Sequence, residues 1–209
     1  MGLYLNPNAD AFTQDINTRI YVDKSLVIDE LNKLVCTKDD FVCISRPRRF
    51  GKSMAGNMIS AYYSKGCNTR DVFSQMKLGQ VSNYDRYLNK FNVIKLDLNG
   101  WYQNAKVENT VDTLIDEINK YLLKDFRKQF PNIDFADKSS IARCIKEVYM
   151  ETGEKFVIIV DEYDILVRER VPQTLFDKYL SFLNGLFKDT TLRPAIALAY
   201  ITGIIPVVR

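Results

Sequence analysis

Two apolar segments that end in opposite charges constrain this chain more than any other feature. The first, Phe41–Ser45, leads into a basic loop (residues 46–51) and then into Lys52-Ser53. The second, Phe156–Asp161, leads into a run of acids at Asp161–Asp164, which we name the acidic turn. Short apolar runs bounded in this way are typical of buried strands. The sequence therefore predicts two strands whose ends bring cations and carboxylates to one site.

The wider pattern predicts an α/β fold with a mostly parallel sheet. The predicted strands are Phe41–Ser45, Asn92–Leu98, Phe156–Asp161 and Ile196–Thr202. Because these runs are nearly continuously apolar, they indicate a sheet covered on both faces. The predicted helices run from a cap at Ser25 to about Val35, over Val107–Phe126, over Ser139–Glu151 and over Leu175–Phe187, and residues 66–90 are expected to form short helices and loop. Strands that alternate with helices imply crossover connections between parallel strands.

Composition excludes several kinds of chemistry. The chain has 209 residues, enough for one domain, and its net charge of +3 is too small by itself to indicate nucleic acid or a membrane surface. It contains no histidine, which excludes His-ligated zinc and serine–histidine catalysis within this segment. The positive charge is instead local, because Arg46, Arg48, Arg49 and Lys52 lie in a stretch without a single acid.

Cysteines and termini indicate a cytoplasmic protein. Cys36, Cys43, Cys67 and Cys144 form no CxxC pair, and three of them have apolar neighbours, so we expect buried, reduced thiols. The N-terminal residues lack a basic region followed by a long apolar run and do not resemble a signal peptide. Ala195–Val208 is apolar but shorter than the roughly 20 residues of a membrane span, so we expect a buried strand there.

The basic loop and the residues after it have the chemistry of a phosphate-binding loop. Backbone N–H groups at a helix N-terminus attract anions. Gly51 permits close backbone approach, Lys52 can reach β- and γ-phosphates, and Ser53 can ligate Mg²⁺. The usual pattern G-x-x-x-x-G-K-[ST] would need glycine where this chain has Arg46. The predicted nucleotide-binding residues are Arg46, Pro47, Arg48, Arg49, Phe50, Gly51, Lys52, Ser53 and Met54; the alternative is an ordinary helix start after a basic surface turn.

The acidic turn supplies the other half of such a site. Asp161 follows five apolar residues and can hold Mg²⁺ directly or through water. Glu162 is placed to polarise a water that attacks the γ-phosphate. The predicted metal ligands are thus Ser53 and Asp161. The alternative is that these acids are solvated at the end of a strand.

Other side chains keep more than one interpretation. Asp164 would ligate metal, cap the next helix or pair with an arginine of the basic loop. Arg48 and Arg49 would face the nucleotide, pair with acids on a neighbouring strand or lie in solvent. Thr202 would sense the γ-phosphate, or it marks a plain strand-to-turn transition before Gly203. With Thr202 included, the predicted catalytic residues are Glu162, Lys52 and Thr202.

Several motifs together resemble those of the bacterial AAA-ATPase-like family. They are Asn6-Pro7-Asn8 with Phe12, YVDKS at Tyr21–Ser25, RPRRFGKS at Arg46–Ser53, DEYD at Asp161–Asp164 and TG at Thr202-Gly203. The resemblance covers nearly the whole chain, and arginine in place of the first glycine is usual for that family. It implies a three-layer P-loop NTPase fold with sheet order 5-1-4-3-2, of which this chain would hold the first four strands in sequence. The expectation is one domain over residues 1–209, truncated at its C-terminal end, with an N-terminal segment and helix (1–36) and a nucleotide-binding core (41–209).

The same resemblance implies ATP and Mg²⁺ as cofactors and ATP hydrolysis as the activity. In that family the domain commonly precedes a PD-(D/E)XK nuclease-like part, which would be the partner in cis or in trans. Tyr21–Ser25 would line the base pocket or simply cap a helix, and Arg168 and Arg170 are candidates for a trans-acting arginine. Alternatives from other classes are a nucleotide-occupancy switch with little turnover, a nucleic-acid binder through the basic loop, and a small-molecule kinase.

Overall fold

A computed structural model describes residues 2–205. Within that range four strands form: β1 (Phe41–Ser45), β2 (Asn92–Asp97), β3 (Phe156–Asp161) and β4 (Ile196–Gly203). The helices of the same range are α1 (Asp10–Ile16), α2 (Leu26–Leu34), α3 (Lys52–Tyr63), α4 (Arg70–Ser74), α5 (Leu98–Glu108), α6 (Leu114–Gln129), α7 (Ile141–Thr152), α8 (Ile165–Arg168) and α9 (Gln173–Phe187). The four predicted strands are therefore present, with ends shifted by at most one residue.

All strand pairs in the sheet are parallel, and the order is β1-β4-β3-β2. β4, the last strand in sequence, therefore lies between the strand before the basic loop and the strand before the acidic turn. Its register places Thr202 beside Ile44 of β1, while Asp97 of β2 lies beside Asp161 of β3. An α/β fold with a parallel sheet is confirmed. The five-strand order 5-1-4-3-2 stays a prediction, because the described residues form four strands.

Alternate side chains of β3 enter two hydrophobic cores, one on each face of the sheet. Phe156, Ile158 and Val160 pack with helices α5 to α7 and α9. Val157 and Ile159 pack on the other face, with α2 and α3. Every residue of β3 is buried, as its continuous apolar run predicts. The acidic turn consequently begins at the end of the best-covered strand.

The predicted helix Val107–Phe126 is wrong, because the chain breaks it into two. Asn109 adopts a left-handed conformation (φ 56°) and ends α5, and its backbone N–H is bonded to the carbonyl oxygen of Lys106. Asparagine is one of the few residues besides glycine that tolerates this conformation. Val107 accordingly belongs to α5 and is 83% exposed, and α6 begins only at Leu114.

The predicted burial of the cysteines is also wrong for three of the four. Cys36 and Cys43 are exposed, Cys67 is half-buried, and only Cys144 is buried; all four are free thiols. Cys43 has apolar neighbours in sequence, but β1 lies at the end of the described sheet, where fewer side chains cover it.

The apolar run after Ala195 forms the buried strand β4 as far as Gly203, and its last residues lie outside the described range. Between residues 2 and 205 no helix has the length and apolarity to cross a membrane.

The predicted cap of α2 forms in a different way. Ser25 occupies the N-cap position, but its hydroxyl accepts a hydrogen bond from the backbone N–H of Leu78 at 3.0 Å instead of capping the helix. Asp23 accepts from the N–H of Ser25 (2.8 Å) and of Lys77 (2.7 Å). These bonds tie the segment before α2 to a short 3₁₀ turn at residues 77–80.

Candidate phosphate- and metal-binding site

The basic loop joins β1 directly to the N-terminus of α3. Gly51 has φ 75° and ψ 28°, a left-handed conformation that glycine adopts without steric cost, and its carbonyl oxygen accepts the N–H of Ala55 at 3.0 Å. Arg49 is also left-handed, at φ 67°. These two residues turn the chain sharply, so that the first free N–H groups of a 12-residue helix point back toward the loop. The arrangement creates positive potential where phosphates bind in such loops.

Lys52, the first residue of α3, curls back over the basic loop. Its ammonium donates to the carbonyl oxygens of Arg46 at 2.9 Å and Pro47 at 3.0 Å. The loop is also anchored to the sheet, because the N–H of Arg46 donates to the carbonyl oxygen of Gly203 at 3.1 Å. Neutral carbonyl groups do not compensate the positive charge of Lys52, so that charge can attract an anion that enters the loop.

Ser53 and Asp161 join the two halves of the site. The Ser53 hydroxyl donates to Asp161 Oδ2 at 2.5 Å. Asp161 Oδ1 accepts from the Thr202 hydroxyl and from the N–H of Glu162, the latter at 3.0 Å. Asp161 is only 6% exposed and Thr202 only 1%, so Asp161 is not a solvated acid at a strand end. The hydroxyl and the carboxylate oxygen are hard ligands of the kind that Mg²⁺ prefers.

No cluster of three His, Cys, Asp or Glu side chains suited to metal binding exists within residues 2–205. A Mg²⁺ ion at Ser53 and Asp161 would therefore take most of its ligands from phosphate oxygens and water. This ligand set is ordinary for Mg²⁺, which dehydrates reluctantly and is commonly held by one or two protein oxygens. The residues present fit such an ion.

Glu162 has a left-handed backbone conformation, with φ 54°. Its carboxylate forms an ion pair with Arg168 Nη2. Arg168 Nε lies 3.2 Å from Asp164 Oδ2, and that oxygen also accepts the N–H groups of Ile204 (3.0 Å) and Ile205 (2.8 Å). Asp164 thus pairs with Arg168 and not with an arginine of the basic loop. Arg168 is thus paired with acids of this chain, whereas Arg170 is exposed.

A cavity of about 630 Å³ opens between the basic loop and the acidic turn. Arg48, Arg49, Lys52 and Ser53 line one side and Glu162 lines another. None of the ion pairs within the described range involves Arg48 or Arg49, so of their three interpretations, pairing with neighbouring acids is excluded there. Two amide side chains of α5, Asn99 and Gln103, complete the lining, and sequence reasoning missed both. The sequence signal for these two residues is their position one helical turn apart, immediately after β2.

A second cavity, of about 320 Å³, lies on the other side of the basic loop. Its lining is mostly apolar: Ile20, Tyr21, Val22, Phe50, Met54, Ala55 and Met58, with Lys24, Arg49 and Gly51. Lys24 Nζ donates to the carbonyl oxygen of Phe50 at 3.3 Å and so connects the YVDKS segment to the loop. Of the two interpretations of that segment, lining a pocket beside the loop is the one that this geometry supports.

Lys95 is a half-buried cation that sequence reasoning also missed. It lies on β2 inside the apolar run NVIKLD, where a lone lysine was the available signal. Its ammonium donates to Asn57 Oδ1, and Asn57 in turn donates to Asp15 at 2.7 Å. Burial lowers the pKa of Lys95, while the charge of Asp161 opposes that shift. A second cation thus contributes to the field around the candidate metal ligand.

A parallel α/β sheet that carries a Gly-Lys-Ser loop on one strand and a partnered aspartate on another defines the class of nucleotide-binding α/β proteins. Within that class, the chain belongs to the AAA-ATPase-like family, described as predicted AAA-ATPase, whose model matches residues 11–209. No curated protein and no solved structure matches the chain. Family membership supports nucleotide binding and an ATPase function at this coarse level.

Proposed function

We propose that this protein binds ATP with Mg²⁺ and hydrolyses it. The observation that carries the proposal is the 2.5 Å contact of Ser53 with Asp161, made at the helix N-terminus that follows the basic loop. This contact places a phosphate-attracting element and a metal-attracting carboxylate at the same point. The interpretation of GKS as an ordinary helix start does not account for the contact.

Each residue has a role in the proposed reaction. The loop N–H groups and Lys52 bind the β- and γ-phosphates, and Ser53 and Asp161 hold Mg²⁺. Glu162 accepts a proton from the attacking water, whose oxygen bonds to the γ-phosphorus as the bond to the β–γ bridging oxygen breaks. Thr202 orients Asp161 and lies near the γ-phosphate. Most of the rate enhancement comes from electrostatic stabilisation of the charge that spreads over the phosphoryl group.

The remaining residues of the loop bind and orient the nucleotide. Arg48 and Arg49 line the cavity that the γ-phosphate would enter, while Phe50 and Met54 line the apolar cavity on the other side. An apolar cavity with a few polar groups at its edge suits a purine base. We place the base there, beside Tyr21, and the preference for ATP over GTP rests on membership of the family.

Substitution of Glu162 tests hydrolysis separately from binding. Glu162→Gln keeps the size of the side chain but removes the proton acceptor, so ATP binding by calorimetry should match the parent while phosphate release falls to background. The control is Glu151→Gln, at the exposed end of α7, which should leave both ATP binding and phosphate release unchanged. Gln103 is unsuitable as a control because it lines the cavity. Phosphate release by Glu162→Gln at the parental rate would contradict the catalytic role.

A second candidate function is a nucleotide-occupancy switch with little turnover. The observation that favours it is the ion pair of Glu162 with Arg168, which occupies the carboxylate that would accept the proton. Tight retention of nucleotide through purification, with no phosphate release over many hours, would support the switch and contradict the ATPase. In either case the partner that reads the nucleotide is proposed to be a nuclease-like domain, in cis or in trans.

Direct binding of nucleic acid by the basic loop is a weaker alternative. It draws on the same exposed arginines, so its affinity would fall steeply with salt. A competition experiment distinguishes nucleotide binding from nucleic-acid binding. If ATP·Mg²⁺ displaces a fluorescent oligonucleotide, the cations of the basic loop bind the nucleotide. If ATP has no effect, the oligonucleotide binds to a surface separate from the nucleotide site.

A further inference from the structure

Arg168 lies between two acids, Glu162 and Asp164, and forms an aligned hydrogen bond with only one of them. Its Nη2 binds Glu162, and its Nε lies 3.2 Å from Asp164 Oδ2 without the alignment of a hydrogen bond. The Arg168 side chain is 14% exposed, that of Glu162 22% and that of Asp164 1%, so the cluster is largely shielded from water. A guanidinium group can instead bind one carboxylate through two parallel hydrogen bonds.

One carboxylate oxygen of Asp164 could accept a hydrogen bond from Arg168 in such a two-bond arrangement. Its Oδ1 is buried and meets no donor among residues 2–205. A buried oxygen without a partner costs free energy, and most such atoms in proteins are bonded. Two parallel bonds from Arg168 to Asp164 would satisfy both Oδ1 and the Arg168 Nε, at the expense of the bond to Glu162.

We propose that Arg168 is a positioning residue that alternates between Glu162 and Asp164. In the arrangement seen here Arg168 binds and restrains the carboxylate of Glu162, which lines the cavity. Arg168 transfers to both oxygens of Asp164 when that carboxylate turns toward the attacking water. The proposal rests on the role of Glu162 in the proposed function. Glu162 is itself held in a left-handed backbone conformation, which non-glycine residues adopt at a cost and which is common at sites that switch.

The transfer of Arg168 from Glu162 to Asp164 would affect the segment that follows β4. Asp164 Oδ2 accepts the backbone N–H groups of Ile204 and Ile205, and the Tyr163 hydroxyl donates to the carbonyl oxygen of Ile205. A Cβ at Gly203 would lie 2.5 Å from the Tyr163 ring and 3.0 Å from Asp164 Oδ1, so this segment packs directly against the acidic turn. A change in the bonds of Asp164 therefore acts on residues 203–205, which gives the nucleotide site a physical connection to the chain beyond β4.

Steady-state phosphate release with Arg168 variants tests the transfer. Arg168→Gln removes the charge that holds Glu162, so kcat should rise by about three- to tenfold with KM for ATP unchanged, as expected for loss of one partly buried ion pair. Arg168→Lys keeps a cation beside Glu162 and should return kcat to about the parental value. Arg86→Gln, an exposed arginine over the Tyr87 ring, is the matched control and should behave as the parent. A kcat for Arg168→Gln equal to or below that of the parent, at a temperature where both are folded, overturns the proposal.

A second variant covers the case in which Arg168→Gln does not fold. Asp164→Asn leaves an oxygen to accept the N–H groups of Ile204 and Ile205 but removes the competing charge, so Arg168 stays on Glu162 and kcat should fall below that of the parent. An unchanged or increased kcat overturns the proposal. Failure of the proposed function has a different signature, because the parent and Glu162→Gln would then release phosphate equally.

Discussion

The Ser53 hydroxyl and the Asp161 carboxylate are hydrogen-bonded across 2.5 Å although 108 residues separate them in the chain. β4 makes this contact possible, because it pairs with both β1 and β3 and brings their carboxyl ends to one edge of the sheet. Its own Thr202 completes the contact by donating to Asp161. Three strands that are distant in sequence therefore define one site.

Removal of the Lys52 ammonium should weaken ATP binding most. Lys52→Ala loses a charged donor to the phosphates, which costs on the order of 2 kcal/mol, or about thirtyfold in Kd. The measurement is calorimetric titration with ATP and Mg²⁺. Lys128→Ala, an exposed lysine on α6 on the other face of the sheet, should bind as the parent does. Equal affinities for Lys52→Ala and Lys128→Ala would remove Lys52 from the site.

Thr202 should affect turnover more than binding. Thr202→Val keeps the shape of the buried side chain but removes the donor to Asp161, so the carboxylate is less firmly oriented. We expect kcat to fall by roughly tenfold, the equivalent of one hydrogen bond of about 1.4 kcal/mol, with a smaller change in KM. Thr202→Ser keeps the hydroxyl and should retain most of the activity. If valine and serine variants turned over ATP at the same rate, Thr202 would be only a strand residue.

Stability should fall at high pH as buried tyrosines ionise. Burial, with a contribution from Asp161, raises the pKa of Tyr200 from 10.0 to about 12. Because the unfolded chain releases the Tyr200 proton first, the free energy of unfolding declines as pH rises from 10 to about 12. Tyr200→Phe should remove about 2 kcal/mol of that decline.

Urea unfolding at pH 9 and at pH 11 measures the effect, since the difference between the two midpoints should be smaller in Tyr200→Phe than in the parent. Tyr21 and Tyr163 have pKa values raised to about 12 in the same way and should add to the decline of the parent. Identical differences for the parent and for Tyr200→Phe would show that Tyr200 does not titrate in this range.

The strands could be predicted because continuous apolar runs depend on local sequence alone. The break at Asn109 could not, since Val107 and Val111 continue the helical spacing of the residues after them and only the backbone conformation of Asn109 separates the two helices. The exposure of Cys43 depends on which strand lies at the end of the sheet, and that is a tertiary property.

The candidate site also contains some features that could be predicted from the sequence and others that could not. Ser53 and Asp161 could be predicted from motif chemistry, because Asp161 ends one predicted strand and Ser53 follows the basic loop after another. Arg168, Asn99 and Lys95 can be noticed in the sequence, but their relation to Glu162 or Asp161 could not be predicted, because it depends on how the strands are ordered and the helices packed. The pairing of Asp164 with Arg168, rather than with the basic loop, is by contrast local, because the two residues lie four apart at the first turn of α8.

Mg²⁺ dependence of ATP binding tests the central claim most directly. Calorimetric titration with ATP should give a tighter Kd with Mg²⁺ than with EDTA in the parent, and both Ser53→Ala and Asp161→Asn should abolish that difference while binding of ATP in EDTA persists. Ser60→Ala, in the same helix but with a hydroxyl that has no partner among the described residues, should behave as the parent. Retention of the full Mg²⁺ effect by Asp161→Asn would contradict a shared site at Ser53 and Asp161.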